Sequence, residues 1–544
     1  MQQTNFASNQ IIKKMKKLLL VNLMLICLAV AGISQNTIDD PFFDKVSFRG
    51  AFGSSNNWTD GWANWDPQNT NYNTPTVTVE GELTASTTWT SNNVYLIKGF
   101  YYVRDGATLT IQPGTVIRGD QNTKGTLLIE RGAKLIANGT ETQPIVFTSN
   151  ISAGNRAYGD WGGVVLCGKA AINVPGGTAI IEGGPTSVYG GGANPDDADN
   201  SGSLKFVRIE FPGIPFVPDK EINGLTLGGV GSGTTLDYIQ VSYCGDDSYE
   251  WFGGKVNAKH LIAYRGWDDD FDTDFGYRGM IQYAVSLRDK DIADPGSGSN
   301  SFESDNDGSG STNTPVTQPV FSNVSSFGPK YTVGTSVNSN FKRAMHLRRN
   351  TRTTVYNSVF AGWPIGLFID GTAAQGNATA GDMKMQRTVL AGMGSFFVSS
   401  FERSFFTTAS FGNDTIATND LLMYIDPFNL GQPNFLLQSG SELNSGSIWP
   451  QTGINERNNN AFAASVYPNP VSSYATISLT LEKSQELIVN VYDLTGHKIA
   501  VIEKTQYAAG ENTIRYDASA LPNGMYFIQI TDGVKSTSLK MIVK

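Results

Sequence analysis

The stretch Ile239-Gln240-Val241 sets the pattern of the central sequence, because Leu261-Ile262-Ala263 and Tyr283-Ala284-Val285 repeat it in steps of 22 residues. The polar positions that follow keep the same step. They align Asp246 with Asp268 and Lys290, and Asp247 with Asp269 and Asp291. A fixed period of this size is typical of a solenoid, in which each repeat forms one coil of the chain.

The surrounding sequence, from about 94 to 390, consists of short apolar alternations separated by Gly, Asn and Asp turns. A shorter echo relates Leu109–Ile117 to Leu127–Leu135, eighteen residues on. Each unit holds about three short strands, which is too little to close a core alone, but coils stacked at ~4.8 Å bury a continuous interior. The sequence therefore predicts an all-β chain with a right-handed parallel β-helix, a pectin-lyase-like solenoid, over residues 94–439.

The open end of such a stack needs cover, and residues 35–93 are the candidate cap. Aromatic side chains concentrate there, namely Phe42, Phe43, Phe52, Trp58, Trp62 and Trp65. The three tryptophans recur at helical spacing, which predicts a helix that packs its aromatic face on the first coil. The alternative is an exposed platform on which sugar rings stack.

The C-terminal region, residues 465–544, again shows short alternating strands, such as 477–481 and 487–492. Turn signals at Gly496, Gly510 and Gly524 separate them, which predicts a compact antiparallel β-sandwich. The segment 440–464, rich in Ser, Asn and Gly, is typical of a linker.

This C-terminal region resembles the type A sorting domain of the type IX secretion system. The residues that carry the resemblance are Tyr467, Pro468, Asn469, Pro470, Val491-Tyr492-Asp493, Gly496, Leu521-Pro522-Asn523-Gly524, Tyr526, and Lys540 to Lys544. The resemblance implies handling by the type IX secretion machinery and export across the outer membrane of a Gram-negative bacterium. It also implies removal of the tail, with the cargo attached to the outer-membrane surface or released.

The N-terminal sequence agrees with export. Four lysines between Lys13 and Lys17 precede an apolar run from Leu18 to Ala31, with small residues at Gly32 and Ser34. This layout predicts a cleavable signal peptide over residues 1–34, and Met15 also offers a normal signal start.

Charge and residue usage exclude several functions. Without residues 1–34 the chain carries 36 basic against 49 acidic residues, a net charge of −13, which repels nucleic acid. The remaining Cys167 and Cys244 cannot hold a chain of this length together by one disulfide. Three histidines offer little for a zinc site or a Ser-His-Asp triad.

Acidic residues give the strongest chemical signal. If the period of 22 holds, carboxylates lie one coil apart and repel, so that either protons or a cation must neutralise them, and Ca²⁺ is the expected cation. These acids are Asp246, Asp247, Asp268, Asp269, Asp270, Asp272, Asp274 and Asp291. Two further segments have calcium-type spacing, Asp197 with Asp199 and Glu303 with Asp305 and Asp307. The alternative for all of them is solvated turns at the corners of the coil.

Aromatic residues interleave with these acids, and the mixture suits calcium-bridged or stacking contact with carbohydrate. The predicted glycan contacts are Tyr249, Trp251, Trp267, Phe271 and Tyr277. The block 245–277 is similar to a segment that recurs in secreted β-helix proteins of unassigned function. The leading prediction is a non-enzymatic surface protein that binds extracellular polysaccharide or matrix, or mediates adhesion.

An enzyme is the alternative, either a polysaccharide lyase or a glycoside hydrolase acting on an acidic glycan. Asp pairs on adjacent coils resemble the polygalacturonase arrangement, but the Gly-His-Gly and Arg-Ile-Lys segments of that family are missing. Arg265, Arg278 and Arg288 are candidate lyase bases, although an arginine beside aspartates more often neutralises them. No complete catalytic set is assigned.

Overall fold

The computed structural model describes residues 37–216, 222–449, 463–481, 483–532 and 536–544. The predicted signal peptide and most of the predicted linker lie outside these ranges. The chain divides into two compact units, of which the first ends at Pro450 and the second begins at Gln451.

The first unit is built on one continuous 26-stranded sheet, whose strands pair in parallel from coil to coil. Its strands are β1 (Val77–Leu83), β2 (Thr87–Trp89), β3 (Val94–Val103), β4 (Thr108–Ile111), β5 (Val116–Gly119), β6 (Thr126–Ile129), β7 (Lys134–Asn138), β8 (Ile145–Ser149) and β9 (Val164–Cys167). After the separate pair β10 (Ala179–Ile180) and β11 (Val188–Tyr189) come β12 (Gly202–Glu210), β13 (Leu225–Gly228), β14 (Thr235–Ser242), β15 (Tyr249–Phe252), β16 (Asn257–Tyr264), β17 (Phe271–Asp274), β18 (Met280–Leu287), β19 (Phe302–Ser304) and β20 (Val320–Phe327). The last are β21 (Arg343–Leu347), β22 (Thr354–Tyr356), β23 (Val359–Ala361), β24 (Ile365–Ile369), β25 (Met385–Gln386), β26 (Val389–Ala391), β27 (Ser395–Phe397) and β28 (Asp414–Ile416). The predicted parallel β-helix is confirmed.

The register confirms the period of 22 for one step and corrects it for the next. Ile239 of β14 pairs with Leu261 of β16, as the sequence predicts, but Leu261 pairs with Ala284 of β18 and not with Tyr283. The corner between β17 and β18 is one residue longer than the corner between β15 and β16, which shifts the pairing. The predicted stacking of Tyr283 and Val285 on Leu261 and Ala263 is therefore wrong by one residue.

The predicted third row of acids also needs correction. Asp272 of β17 pairs with Glu303 of β19, because the long segment after β18 postpones the next coil. Asp291 lies in that segment, exposed and paired with its neighbour Lys290, and does not stack on Asp269.

The eighteen-residue echo compares different sides of the coil. Leu109 of β4 pairs with Leu135 of β7, whereas Leu127 of β6 pairs with Tyr101 and Val164. Strands β4, β5 and β6 pair with β7, β8 and β9 respectively, so one coil here contains three strands. The echo is a strand–turn–strand pattern within coils.

The interior is filled by side chains from alternate strand positions. Tyr249 stacks on Phe271 with ring centroids 5.6 Å apart, and Trp251 stacks on Tyr277 at 5.4 Å. Both pairs belong to the main buried core. Because successive strand residues face opposite sides, Glu250 between Tyr249 and Trp251 faces outward.

The aromatic N-terminal segment does not form the predicted helix, since Trp58 and Trp62 lie in turns. Residues 38–70, here called the N-terminal strap, pack along the outside of the coils and not on the first coil. The reason lies in an outward stack of Phe206, Tyr238, His260 and Tyr283, whose ring centroids lie 4.1–5.0 Å apart. The strap covers this apolar stack.

Short helices follow later in the unit. Helix α1 (Gly371–Ala380) and helix α2 (Ser400–Phe406) contribute Ala374, Ala378, Phe405 and Phe406 to the main core. Three 3₁₀ turns (Ala409–Phe411, Asn419–Leu422, Glu442–Asn444) and the antiparallel pair β29 (Tyr424–Asp426) and β30 (Asn434–Leu437) complete the unit. None of the helices in the described ranges is both long and apolar enough to cross a membrane.

The second unit is the predicted antiparallel sandwich. Its strands are β31 (Ala463–Tyr467), β32 (Tyr474–Leu481), β33 (Gln485–Tyr492), β34 (Lys498–Tyr507), β35 (Gly510–Asp517), β36 (Gly524–Thr531) and β37 (Ser536–Val543). They form sheets of order β31-β32-β35 and β34-β33-β36-β37 around one shared core. Asn469 fixes the opening segment to β37, because its side chain donates to the carbonyl of Lys540 (2.7 Å) and accepts from the amide of Ile542 (2.8 Å).

Candidate functional site

The candidate site lies on the outward face of strands β13, β15, β17, β19 and β21. The parallel register puts Thr226, Glu250, Asp272, Glu303 and His346 in one row across these strands. Neighbouring strands lie ~4.8 Å apart, so the carboxylates of the row are close neighbours.

Further acids flank the row on both sides. Here the acidic ladder means Asp247, Glu250, Asp269, Asp272, Asp274, Glu303 and Asp305. On one side the amide of Asp269 donates to the carboxylate of Asp247 (2.8 Å), and the amide of Asn300 donates to Asp269 (2.5 Å). These bonds repeat from coil to coil and hold the side chains in register.

Two groups of carboxylates come close enough to share a cation. In the outer cluster, Asp246, Asp247 and Asp268 each bring one oxygen within 4.8 Å of the others. In the inner cluster, Asp247, Glu250 and Asp272 do the same. These acidic clusters, buried or half-buried, can bind a metal ion, and oxygen-only ligands suit Ca²⁺ or Mg²⁺.

Burial dominates the electrostatics of the two clusters. It raises the pKa of Asp247, Glu250, Asp268 and Asp272 well above the ordinary value of a carboxyl group, and the charges of neighbouring acids raise it further. For Asp269, burial and the charge of Glu303 raise the pKa to about 8. Without a cation, Asp269 therefore holds a proton at neutral pH, and the charged forms of the other four carboxyl groups are disfavoured.

Arginines neutralise the far end of the ladder. Arg348 pairs with Glu303 and, at 2.8 Å, with Asp305, which also pairs with Arg349 at 2.7 Å. Burial pushes the pKa of Glu303 upward, but the hydrogen bond from His346 and the charges of Arg348 and Arg349 outweigh burial, and the pKa is lowered. Glu303 and Asp305 thus already have positive partners.

Several predicted metal ligands have other partners. Asp270 points inward and forms a fully buried ion pair with Arg288 (2.9 Å), and Asp197 pairs with Arg278 (3.0 Å). Asp199 accepts from Ser201, and Asp307 accepts from Ser309 (2.7 Å). The segment with Glu303, Asp305 and Asp307 begins on strand β19, where strand pairing sets the backbone of Glu303 and Ser304.

Beside the outer cluster opens a cleft of about 540 Å³. The acid–aromatic cleft is lined by Tyr158, Pro215, Asp246, Trp267, Asp268, Asp294 and Ser297, among others. The rings of Tyr158 and Trp267 have centroids 5.9 Å apart, and the indole of Trp267 donates to the carbonyl of Ala293 (2.7 Å). The hydroxyl of Ser297 donates to Asp268 (2.6 Å).

Four of the five predicted glycan contacts are wrong. Tyr249, Trp251, Phe271 and Tyr277 are 0% exposed, because their strand and corner positions direct them into the core, where no sugar can reach them. Trp267 lies in a loop and lines the cleft, so its predicted glycan contact stays a prediction.

Sequence reasoning missed three kinds of residue. Glu250 stands 22 residues before Asp272 and alternates with two core aromatics, so the period and the strand pattern together contain the signal for it. Thr226 carries no acidic signal, and only the register places it beside Glu250. Tyr158 reaches the cleft from a distant turn for which the sequence offers no pattern.

Two family models match the chain. A family described as pectate-lyase like beta helix domain matches residues 81–418, and one described as secretion system C-terminal sorting domain matches residues 465–544. The second match means that the chain carries a sorting tail for type IX secretion, which implies secretion or attachment to the cell surface. No curated protein matches the chain.

Solved structures give only remote similarities. Dimeric latent PorU from Porphyromonas gingivalis is 23% identical, with TM-score 0.13, over 15% of this chain and 9% of that chain, so the chain spans a small part of PorU. The Dettilon tailspike protein is 10% identical, with TM-score 0.22, over 85% and 84%. The enzymatically active domain of Bacteriophage CBA120 tailspike protein 4 is 8% identical, with TM-score 0.23, over 82% and 63%.

Proposed function

The chain belongs to the pectate-lyase like β-helix family, and from that premise we propose that this secreted protein binds extracellular acidic polysaccharide or matrix in its acid–aromatic cleft, with Ca²⁺ in the adjoining outer cluster. Binding without cleavage, as in adhesion, is the proposed activity. The type A tail takes the protein across the outer membrane of a Gram-negative bacterium, where it remains attached or is released.

The observation that carries the proposal is the position of Trp267 and Tyr158 beside Asp246 and Asp268 in one open cleft. Aromatic faces suit the apolar faces of sugar rings, and the acids supply hydrogen-bond acceptors that fix orientation. A Ca²⁺ ion held by the outer cluster would face the same cleft. It would let this negatively charged protein bind an acidic sugar that its bare carboxylates repel.

The proposal is tested by retention on immobilised polysaccharides, acidic and neutral, with Ca²⁺ or with chelator. We expect retention on acidic polysaccharide in Ca²⁺ and its loss in chelator. Trp267→Ala should weaken retention at least tenfold, whereas Tyr102→Ala, which removes a half-buried aromatic outside the cleft, should leave it unchanged. Equal retention of wild type and Trp267→Ala, or no retention on any polysaccharide, would reject the cleft as a glycan site.

A glycoside hydrolase is the second candidate, because one feature favours it. Asp268 faces the cleft with a raised pKa caused by burial and by Asp269 and Asp246, which is what a general acid requires. A lyase is less favoured, since Arg265 pairs with Asp289 and Arg288 with Asp270. New reducing ends without unsaturated ends during the retention assay, abolished by Asp268→Asn, would establish the hydrolase, whereas reducing ends formed together with unsaturated ends would establish the lyase.

A further inference from the structure

Asp247 belongs to both carboxylate clusters, and its two oxygens can serve two ions. We propose that the inner cluster is a second calcium site, separate from the glycan cleft, with Asp247, Glu250, Asp272 and the hydroxyl of Thr226 as ligands. The ion in this site would join three consecutive coils, because Thr226 lies on β13, Asp247 and Glu250 lie at β15, and Asp272 lies on β17.

The first support is geometric. One oxygen from each of the three acids lies within 4.8 Å of the others, and Asp247 and Glu250 are each 7% exposed. Only the outer cluster reaches the lining of the cleft, through Asp246 and Asp268. The inner cluster therefore lies behind the cleft wall, on the sheet itself.

The second support is independent of the acids. The hydroxyl of Thr226 is buried without a hydrogen-bond partner, and the residue is only 1% exposed. Its side chain faces outward, since Leu225 and Leu227 fill the core, and the register sets it directly beside Glu250. One carboxylate oxygen of Asp272 is likewise buried without a partner. Leaving such groups unsatisfied destabilises the folded state, and a bound cation removes this cost.

The third support is the shortage of positive charge. Among the described residues, no lysine, arginine or histidine forms an ion pair with Asp247, Glu250 or Asp272. Asp247 accepts a hydrogen bond from the amide of Asp269, and Glu250 accepts one from the side chain of Asn223. The same side chain donates to Glu182 (3.0 Å), a further acid that lies against Glu250 and adds negative charge. Arg348, the nearest arginine along the ladder, already pairs with Glu303 and Asp305.

The ligand chemistry favours Ca²⁺. All four groups offer oxygen, and Ca²⁺ accepts six to eight oxygens in irregular arrangements, with water completing the set. Mg²⁺ demands a nearly ideal octahedron, which ligands fixed on three adjacent strands do not readily supply.

The test is a calcium titration of the chelated full chain by calorimetry, without any glycan, so that it can fail independently of the proposed function. We expect wild type to bind two Ca²⁺ ions. Glu250→Gln and Asp272→Asn should each remove one, and Asp246→Asn, the matched control from the outer cluster, should retain the inner one. Thr226→Val should weaken the inner site about tenfold and Thr226→Ser should restore it.

Folding is checked separately by circular dichroism in chelator. Because Glu250→Gln and Asp272→Asn each remove a carboxyl group whose charged form is disfavoured by burial and by its neighbours, both should remain folded there, as should the control Asp246→Asn. Loss of no ion in either Glu250→Gln or Asp272→Asn, whatever number wild type binds, or equal affinity for Mg²⁺ at the inner site would overturn the assignment.

Discussion

At the scale of single residues, Asp269 links pH to stability. Its folded pKa of about 8 lies above the ordinary value of 3.8, so the folded state holds a proton that the unfolded state releases over this range. The contribution to stability is therefore complete below 3.8 and disappears as pH rises through about 8. We expect the melting temperature in chelator to fall less steeply with pH in Asp269→Asn than in wild type. Exposed Asp291→Asn is the control, and equal slopes for Asp269→Asn and wild type would contradict this explanation.

The buried pair of Arg288 and Asp270 gives a second expectation at this scale. Both side chains are fully buried, and Arg288 also donates to the carbonyls of Gly266 (2.7 Å) and Asn300 (2.7 Å). Arg288→Met leaves a buried carboxylate without its partner and should lower the free energy of unfolding by about 3–5 kcal/mol in urea titrations. Lys290→Met, which removes a surface pair, should cost about 0–1 kcal/mol. Similar losses of unfolding free energy in the two variants would show that the buried pair does not stabilise the fold more than a surface pair does.

The sequence predicts which acids align between coils better than it predicts the direction and burial of each side chain. Alignment of Asp247 with Asp269 follows from the period, and their hydrogen bond confirms it. The same period could not tell that Asp270 turns inward to Arg288 while its neighbours face outward, because direction depends on local backbone at the start of β17. The burial of Tyr249 and Trp251 follows from strand alternation, whereas interpreting them as surface contacts neglected it.

At the scale of elements, corner length decides the register. The sequence pattern of each short strand predicts that strand. A corner that is one residue longer, however, shifts the following pairs by one residue, so that Leu261 pairs with Ala284 in place of Tyr283. The sequence therefore predicts the coils and the first step between them. The later steps, which reach 31 residues between Asp272 and Glu303 and 43 residues between Glu303 and His346, depend on insertions that no fixed period describes.

The contribution of the N-terminal strap to stability can be measured by single substitutions. Trp62 is 2% exposed, and its ring lies 5.9 Å from both Phe206 and Tyr238. Trp62→Ala should lower the free energy of unfolding by about 3–5 kcal/mol, because it opens a cavity over the outward aromatic stack. The half-buried Trp65→Ala is the control with a smaller expected loss. If urea unfolding shows a smaller loss of free energy for Trp62→Ala than for Trp65→Ala, packing of the strap on the aromatic stack does not stabilise the fold.

At the scale of the whole molecule, the solenoid and the sandwich can be predicted because repeats and turn signals are local in the sequence. The position of the strap could not be predicted, because it depends on contacts between residues far apart in the chain. The amide of Asn64 donates to the side chain of Gln240, and the amide of Asp44 donates to the side chain of Gln282. The cleft is also assembled from separated loops, and only one of its aromatic residues could be predicted.

Export is a property of the whole chain. Deletion of residues 467–544 should trap the protein in the periplasm, because this removes the sorting domain. Fractionation with immunoblotting measures this, and Leu494→Ala, an exposed position in the same domain, is a control that should still be exported. Normal amounts of the truncated protein outside the cell would contradict the role of the tail.

Calcium binding by the outer and inner clusters is tested most directly by the melting temperature of the chain with millimolar Ca²⁺. Ca²⁺ should raise the melting temperature of wild type by mass action on the folded state. Asp247→Asn, which removes the ligand shared by both clusters, should lose this increase while remaining at least as stable in chelator, whereas Asp291→Asn should keep it. No increase in wild type, or a full increase in Asp247→Asn, would contradict the claim.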